Sequence, residues 1–465
     1  MGNGYREGTT RADTLSRARR RWTLLATGLG FAVVQLDVSV VNVAIKPIGD
    51  ELGAGVAALQ WIVSAYTIAF AAFILSAGAL GDRIGAKRVL IGGFALFTIG
   101  SLGCALAPGI GLLIATRCVQ GMGAAALVPS SLSVLSHTYT DARSRAGAIG
   151  IWALGGRAAL SGGPLVGGVL IQTLGWRWIF YINLPLALFG IAAVAFAARE
   201  TTRTTTRRLD AAGQVLAVVT LGILTAAIIE GGEFGFANPF VVTALAVAVC
   251  AGAAFVLVER RSRHPMLPLG LFRSRLFRWS VTIGLFVNIA FYGFIFALSL
   301  YFQRVQHASA LLTGLGFLPI TVAVMLSNAY AARLQDRFGS VACVVVSAAV
   351  IAVCAGGLLF ADPGIPYAAI VAQLVGLGGG LGVIVPIITS TVLASVGAER
   401  SGIASATLNT ARQTGSALGV AVYGSQLGRS IVGGLRVDLL ITVALAALVL
   451  LCGTRLGEAR DGRPA

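Results

Sequence analysis

Fourteen stretches of about 20 mainly apolar residues follow one another along the chain, the first around Phe31 and the last around Ala446. A helix of that length crosses the hydrocarbon layer with all its peptide groups paired, which no lone strand or loop can do there. The chain is therefore expected to be an all-α membrane protein with fourteen transmembrane helices. Only 11% of its 465 residues are charged, against roughly a quarter in a soluble protein. That balance excludes a water-soluble enzyme and a secreted scaffold. The six cysteines (Cys104, Cys118, Cys250, Cys343, Cys354 and Cys452) stand in or beside apolar stretches without CxxC spacing. They read as small core residues, neither disulfides nor metal ligands.

A net charge of +17 would point to nucleic acid if it lay on one soluble face, but here it comes in short bursts between apolar stretches. With an even number of spans and a cytoplasmic N terminus, 27 of the 35 Lys and Arg residues fall on the cytoplasmic side. Five fall on the other side, and Arg117, Arg157 and Arg412 fall within spans. This asymmetry is the positive-inside rule, and it places both termini in the cytoplasm of a multi-pass cell (plasma) membrane protein with no nucleic-acid partner. The first span is too long for a signal-peptide core and lacks a small-x-small cleavage site, so it is expected to be retained.

The chain also repeats itself. Gly81-Asp82-Arg83-Ile84-Gly85 returns 254 residues later as Gln335-Asp336-Arg337-Phe338-Gly339. Arg145, followed twelve residues on by Arg157, returns 255 residues later as Arg400 with Arg412. The spacing implies two six-span units, 22–198 and 279–456, flanking a linker 199–278 with two extra spans, and short cytoplasmic tails 1–21 and 457–465. Parallel halves of this kind are typical of transporters with a midplane site between them.

Four motifs carry a family resemblance. Gly78-x-Leu80-x-Asp82-Arg83-x-Gly85-x-Lys87-Arg88 resembles the signature loop of the major facilitator superfamily. Gly85 permits a tight turn, and Asp82 is expected to cap a helix N terminus and meet a cation, forming a conformational latch repeated at Asp336, Arg337 and Gly339. A plain solvated basic loop is the alternative. Leu36-Asp37-Val38-Ser39-Val40-Val41-Asn42-Val43-Ala44 resembles a stretch of the fourteen-span drug:proton antiporters, with Pro47 displaced by one position. Arg117-x-x-Gln120-Gly121-x-Gly123 is similar to the superfamily's second motif. Gly162-Gly163-Pro164-Leu165-Val166-Gly167-Gly168 is similar to the antiporter motif. The resemblance implies a major facilitator fold arranged 6+2+6, export of small organic molecules such as antibiotics in exchange for protons, no cofactor, and a monomer.

At about 1.5 Å per residue, Asp37 lies about 22 Å along span 1 and Arg117 about 10 Å below the outer face, so their depths agree. An ionisable group in hydrocarbon costs roughly 3 kcal/mol even on lenient scales, which favours a paired, functional residue. The pair is expected to couple to protons, with a static ion pair as the alternative. Arg157 and Arg412, near the midplane, are candidates to touch substrate. Other cavity candidates are Trp61, Tyr66, Trp152, Asn288, Tyr292, Asn328, Asn409 and Gln413, each also explicable by packing. The glycine run with Pro164 is expected to form a close helix seam. Of the 18 acidic residues only Asp37 lies clearly inside a span, so the cavity is expected to be net positive and the substrate neutral or anionic. No nucleotide loop, nucleophile triad or metal spacing occurs, so the chain is not expected to be an enzyme or to use ATP or a metal. Proton-coupled uptake and a non-transporting membrane sensor remain as alternatives on the same fold.

Overall fold

A computed structural model of the chain describes residues 6–203, 210–262, 265–360, 366–397, 400–428 and 430–461. Residues 204–208 of the linker, His264, Arg429, the first five residues and the last four lie outside the described residues. Among the described residues, the regular structure is helical. In the first part of the chain run α1 (Arg6–Leu52), α2 (Val56–Ile84), α3 (Ala86–Ala105), α4 (Ile110–Thr138), α5 (Ala142–Leu174), α6 (Trp178–Tyr181) and α7 (Asn183–Ala197). Next come α8 (Ala211–Phe234) and α9 (Pro239–Arg261), followed by α10 (Arg275–Leu300), α11 (Ala310–Gly316) and α12 (Leu318–Leu358). The last three are α13 (Tyr367–Ala394), α14 (Ser401–Leu427) and α15 (Ile431–Asp461).

Local chemistry sets many of the starts. Side chains of Asp141, Asp210, Asn238, Ser274 and Ser309 accept from free backbone N–H groups in the first turns of α5, α8, α9, α10 and α11. The Ser144 N–H on Asp141 holds that exposed carboxyl below its usual range.

By length and hydropathy, twelve described stretches can span a bilayer, fewer than the fourteen read from the sequence. Two features account for the difference in count. Residues 310–358 form one stretch, although Gly339 at φ 79° breaks its helical course. The Ser-, Thr- and Gly-rich α14 is absent from the twelve. The outward faces carry large apolar side chains, with Phe196, Val249 and Val353 each at least 70% exposed. An apolar exterior of this extent suits lipid, and the protein is a multi-pass membrane protein.

Two buried clusters organise the interior. One joins α1, α2, α3, α4, α5 and α7 near the end where α1 begins, here termed proximal, through residues such as Val34, Phe70, Phe94 and Leu127. The other takes in Val41, Ile45 and Leu59 from α1 and α2 together with Phe294, Phe296 and Tyr423 from α10 and α14. It runs the length of α10, α12, α13, α14 and α15 and, at the opposite, distal end, takes in residues of α1 and α2, so that the two parts of the chain share one core there.

Glycines let backbones meet. A Cβ at Gly100 would stand 2.6 Å from the Gln120 nitrogen, and one at Gly121 would run into the Tyr66 carbonyl, fixing α4 against α3 and α2. Gly163 has no room beside Ser39, and Gly167 packs on Val40, closing α5 onto α1. The same arrangement recurs 252 residues on, where Gly415 and Gly419 abut Leu285 and Ile289 and close α14 onto α10.

The acid inventory read from the sequence needs correction. Asp438 is fully buried in α15, and Glu259 is 3% exposed in the last turn of α9. Asp438 escaped because α15 starts at Ile431 and runs through Arg436, one of the five basic residues placed on the non-cytoplasmic side.

Gly121→Ala is expected to cost about 1–3 kcal/mol, because the added methyl meets backbone that cannot move aside. Gly147→Ala on exposed α5, with nothing within 4 Å, is expected to stabilise by up to about 1 kcal/mol through helix propensity. Melting temperatures in detergent should move in opposite directions for the two variants.

Candidate functional site

The polar centre of the molecule lies where α1, α2, α3, α4 and α7 converge. Arg117 and Asp37 are 1% and 0% exposed, and the Arg117 Nη1 donates to Asp37 Oδ2 at 2.5 Å. Gln120, one turn after Arg117 on the same face, donates to Asp37 Oδ1 at 2.7 Å and accepts from Arg117 at 2.6 Å. Asn183 of α7 donates to the same Oδ1 at 3.1 Å, and Ser101 of α3 accepts from both amides. Arg117 Nε donates to the Ile62 carbonyl at 3.0 Å. Its guanidinium lies 4.3 Å from the Tyr66 ring centroid and 5.9 Å from that of Phe180.

Removing two charges from water costs several kcal/mol per ion, and only close pairing with satisfied hydrogen bonds offsets it. This cluster meets that requirement. Gln120 belonged to a quoted motif but had no assigned task, and Ser101 and Asn183 were missed. The available signal was a lone amide at Asn183 inside an apolar stretch and the three-residue spacing of Arg117 and Gln120.

The midplane candidates divide by location. Tyr66 is fully buried with its hydroxyl unpartnered. Tyr292 of α10 packs against the buried cluster that holds Tyr66. Arg412 runs beside Gly284, whose Cβ would lie 3.6 Å from its stem, and its Nε is buried without a partner. The charges of Arg412 and Arg157 act on one another. Tyr66 lies against the ion pair and Tyr292 packs on the same buried cluster, while Arg412 and Arg157 carry two further positive charges of the interior.

The other candidates have separate surroundings. Trp152 stacks on Phe31 at 4.1 Å and donates to Ser131, so it is engaged within the α1–α5 bundle. Asn288 and Asn409 donate to carbonyls of their own helices, at Gly284 and Ser405. Asn328 leaves its buried Oδ1 unpartnered on α12, and Gln413 is half-buried beside Arg412. Trp61 is half-buried near the distal end of α2.

Both ends carry fasteners. At the distal end Gln60 Nε2 donates to the Val420 and Ala421 carbonyls at 3.0 and 2.8 Å, crossing from α2 to α14. Ser299 donates to the Asn42 carbonyl and Gln303 to that of Val43. Pro164 and Gly168 of α5 meet Gly314 and Ala310 of α11 without space for a side chain at either glycine. At the proximal end Gly85 turns at φ 103°, against the Glu200 carboxylate. Glu200 accepts from the Lys87 N–H at 3.0 Å and lies 3.7 Å from Arg88, while Thr201 accepts from the Ala86 N–H. Two donors of the first turn of α3 are therefore satisfied by Glu200 and Thr201, not by Asp82, which belongs to the last turn of α2 with Arg83. Gly78 faces Pro129. In the second copy, Asp336 and Arg337 precede the Gly339 break, and Ser390 of α13 donates to Gln335.

A family model described as the Major Facilitator Superfamily matches residues 27–420. The chain is 37% identical to the methylenomycin A resistance protein of Bacillus subtilis (strain 168), over 86% of each protein. It is 35% identical to the multidrug resistance protein Stp of Mycobacterium tuberculosis, over 87% of this chain and 75% of that one. The puromycin resistance protein pur8 of Streptomyces alboniger is 34% identical, over 87% of this chain and 81% of its own.

Arg117→Met strands the buried Asp37 carboxylate and is expected to lower stability by about 3–5 kcal/mol. Asp37→Asn combined with Arg117→Met leaves neither charge and should recover part of the loss. Thermal denaturation of the purified variants measures both. A double variant as unstable as the single one would remove the charge pair as the cause.

Proposed function

The chain belongs to the major facilitator superfamily and is a membrane transporter, and we propose that it is a fourteen-span antiporter exporting small organic molecules in exchange for protons. The fourteen spans count 310–358 twice, at Gly339, and include α14; 22–198 and 279–456 form the moving halves around the insert 199–278. The proximal end, with the basic segments and both termini, faces the cytoplasm, and the protein works as a monomer in the cell membrane.

The observation that carries the reading is the Asp37 cluster: a carboxylate sealed from solvent, held by Arg117, Gln120 and Asn183. Protonating Asp37 cancels one charge of the pair and frees Arg117 from its strongest partner. The Arg117 guanidinium lies over Tyr66, and Tyr292 packs on the same buried cluster as Tyr66. A substrate binding near Arg412 and Arg157 acts on the same group that holds the proton. Trp61, Trp152, Asn288, Asn328, Asn409 and Gln413 shape the surrounding cleft. The antiporter-type glycines support the coupling, since Gly163 and Gly167 pack on the helix of Asp37 while Pro164 and Gly168 pack on α11. Gly162 completes that motif. Asp82, Arg83, Gly85, Lys87 and Arg88, together with Glu200, form the cytoplasmic latch, and Asp336, Arg337 and Gly339 its counterpart. Rocking of the halves alternates access.

The substrate is neutral or anionic. Asp438 takes away the argument from missing acids, so this preference rests on Arg157 and Arg412, which present two positive charges at the midplane. The drug-resistance relatives fit an exported toxin.

In inverted vesicles, adding a substrate found by growth protection is expected to release protons, and Asp37→Asn should abolish the release while the protein remains inserted. Undiminished release in that variant would end the antiport reading. Growth of expressing cells against acidic, neutral and dicationic toxins tests the charge preference, and protection against a permanent dication equal to that against any acid would overturn it.

A further inference from the structure

A second buried carboxyl lies in the other half of the molecule. Asp438 is 0% exposed, and neither carboxyl oxygen has a hydrogen-bond partner among the described residues. It stands seven residues into α15, whose first residue is Ile431, about 10 Å from the start of that helix. Asp37 is surrounded by donors and a cation; among the described residues no donor meets either carboxyl oxygen of Asp438.

The neighbours define what Asp438 can do. From α14 the Tyr423 side chain faces it, but the Tyr423 hydroxyl is already engaged with Thr442 at 2.9 Å. Thr442, one turn on in α15, uses its own hydroxyl on the Asp438 backbone carbonyl. In the turn after α10, Arg304 reaches toward Gly49 of α1, and the Tyr301 ring packs on Phe302. Arg436 is two residues away on the same helix, where side chains point to different faces. Beyond Thr442, α10, α12 and α13 line an apolar cavity against α15, with Phe291, Phe294, Ile320 and Leu377 in its wall. An anion in such surroundings lacks every form of compensation.

The distal end is closed in this structure, with Gln60 on Val420 and Ala421 and Ser299 on Asn42. In this closed arrangement Asp438 is buried beside Tyr423 and Leu439, both members of the apolar core that also holds Leu59 and Phe296 at the distal end. We propose that Asp438 is a second proton-binding site, which must take up a proton from water on the distal side before that side can close. The proton binds one carboxylate oxygen on closure and returns to water on opening, with no other bond made or broken. Alkaline conditions thus favour the distal-open form, and the neutral acid favours the closed one. The proposal uses the rocking of the halves from the functional reading above, and does not depend on proton exchange at Asp37.

Spin labels at Pro108 and Phe360, one on each half at the distal end, report the opening by electron–electron distance measurement in a cysteine-free background. The wild-type distance distribution is expected to shift from short to long as pH rises from mildly acidic to alkaline, and the shift should persist in Asp37→Asn. Asp438→Asn, which mimics the protonated acid without titrating, should keep the short distance throughout. Infrared difference spectra at neutral pH provide a second measurement: the carbonyl band of a neutral carboxylic acid should be present in the wild type and lost in Asp438→Asn. A wild-type distribution independent of pH, an unchanged pH shift in Asp438→Asn, or no such band would each overturn the proposal. If Asp37→Asn still releases protons on substrate addition, the antiport reading fails alone, because none of these measurements uses transport.

Discussion

A charged pair sealed inside an apolar bundle sets the terms for the rest of this protein. Asp37 and Arg117 sit where water does not reach, so each depends on the other and on Gln120, Asn183 and Ser101 for what hydration would have supplied. Meeting those needs draws five elements to one place: α1 for the acid, α4 for the cation and its amide, α3 and α7 for the remaining partners, and α2 for the Ile62 carbonyl and the Tyr66 ring. The cluster is therefore both the polar centre and the clamp of the first half. Any movement of α1 relative to α4 must disturb it, which is why a change of charge there is suited to driving a change of shape.

Close glycine contacts tie the helix of Asp37 to its neighbours. The α5 glycines leave no gap to α1 at Ser39 and Val40, and on the other side Pro164 and Gly168 touch α11. A bundle without a hydrophobic drive between its helices relies on such contacts, because lipid tails compete equally well for apolar side chains. The pairing of Gly415 and Gly419 with α10 repeats the device in the second half. The halves therefore share helix-packing geometry but differ in chemistry: the buried acid of the first is richly bonded, while Asp438 of the second has no hydrogen-bond partner among the described residues.

Much of the fold was legible because lipid imposes a simple code. Long apolar stretches, basic loops and a repeat of about 254 residues are one-dimensional signals. The depths of Asp37 and Arg117 could also be compared from residue counts, since a helix advances by a constant rise. Other features were hidden for equally physical reasons. Glu200 follows α7 and reaches the start of α3 only through tertiary packing, so the capping task went to Asp82 on the basis of proximity in sequence. Asp438 was not read as lying inside a span because Arg436, two residues before it, is charged, yet α15 begins at Ile431 and buries it. Trp152 looked like a cavity residue, yet its ring and nitrogen are occupied by Phe31 and Ser131.

By itself the sequence determined that this protein is helical, lies in a membrane, repeats two patterns about 254 residues apart, and carries an acid and a base at matching depth in its first part. Those properties depend on composition and on distance along a helix, which the order of residues records directly. Only the tertiary structure decided which partners satisfy the ion pair, that the Arg117 guanidinium lies over Tyr66, and that α2 and α1 are fastened to α14 and α10 at the distal end. Such facts depend on the rotation and approach of neighbouring helices, and a difference of one residue around a turn sends a side chain to another face.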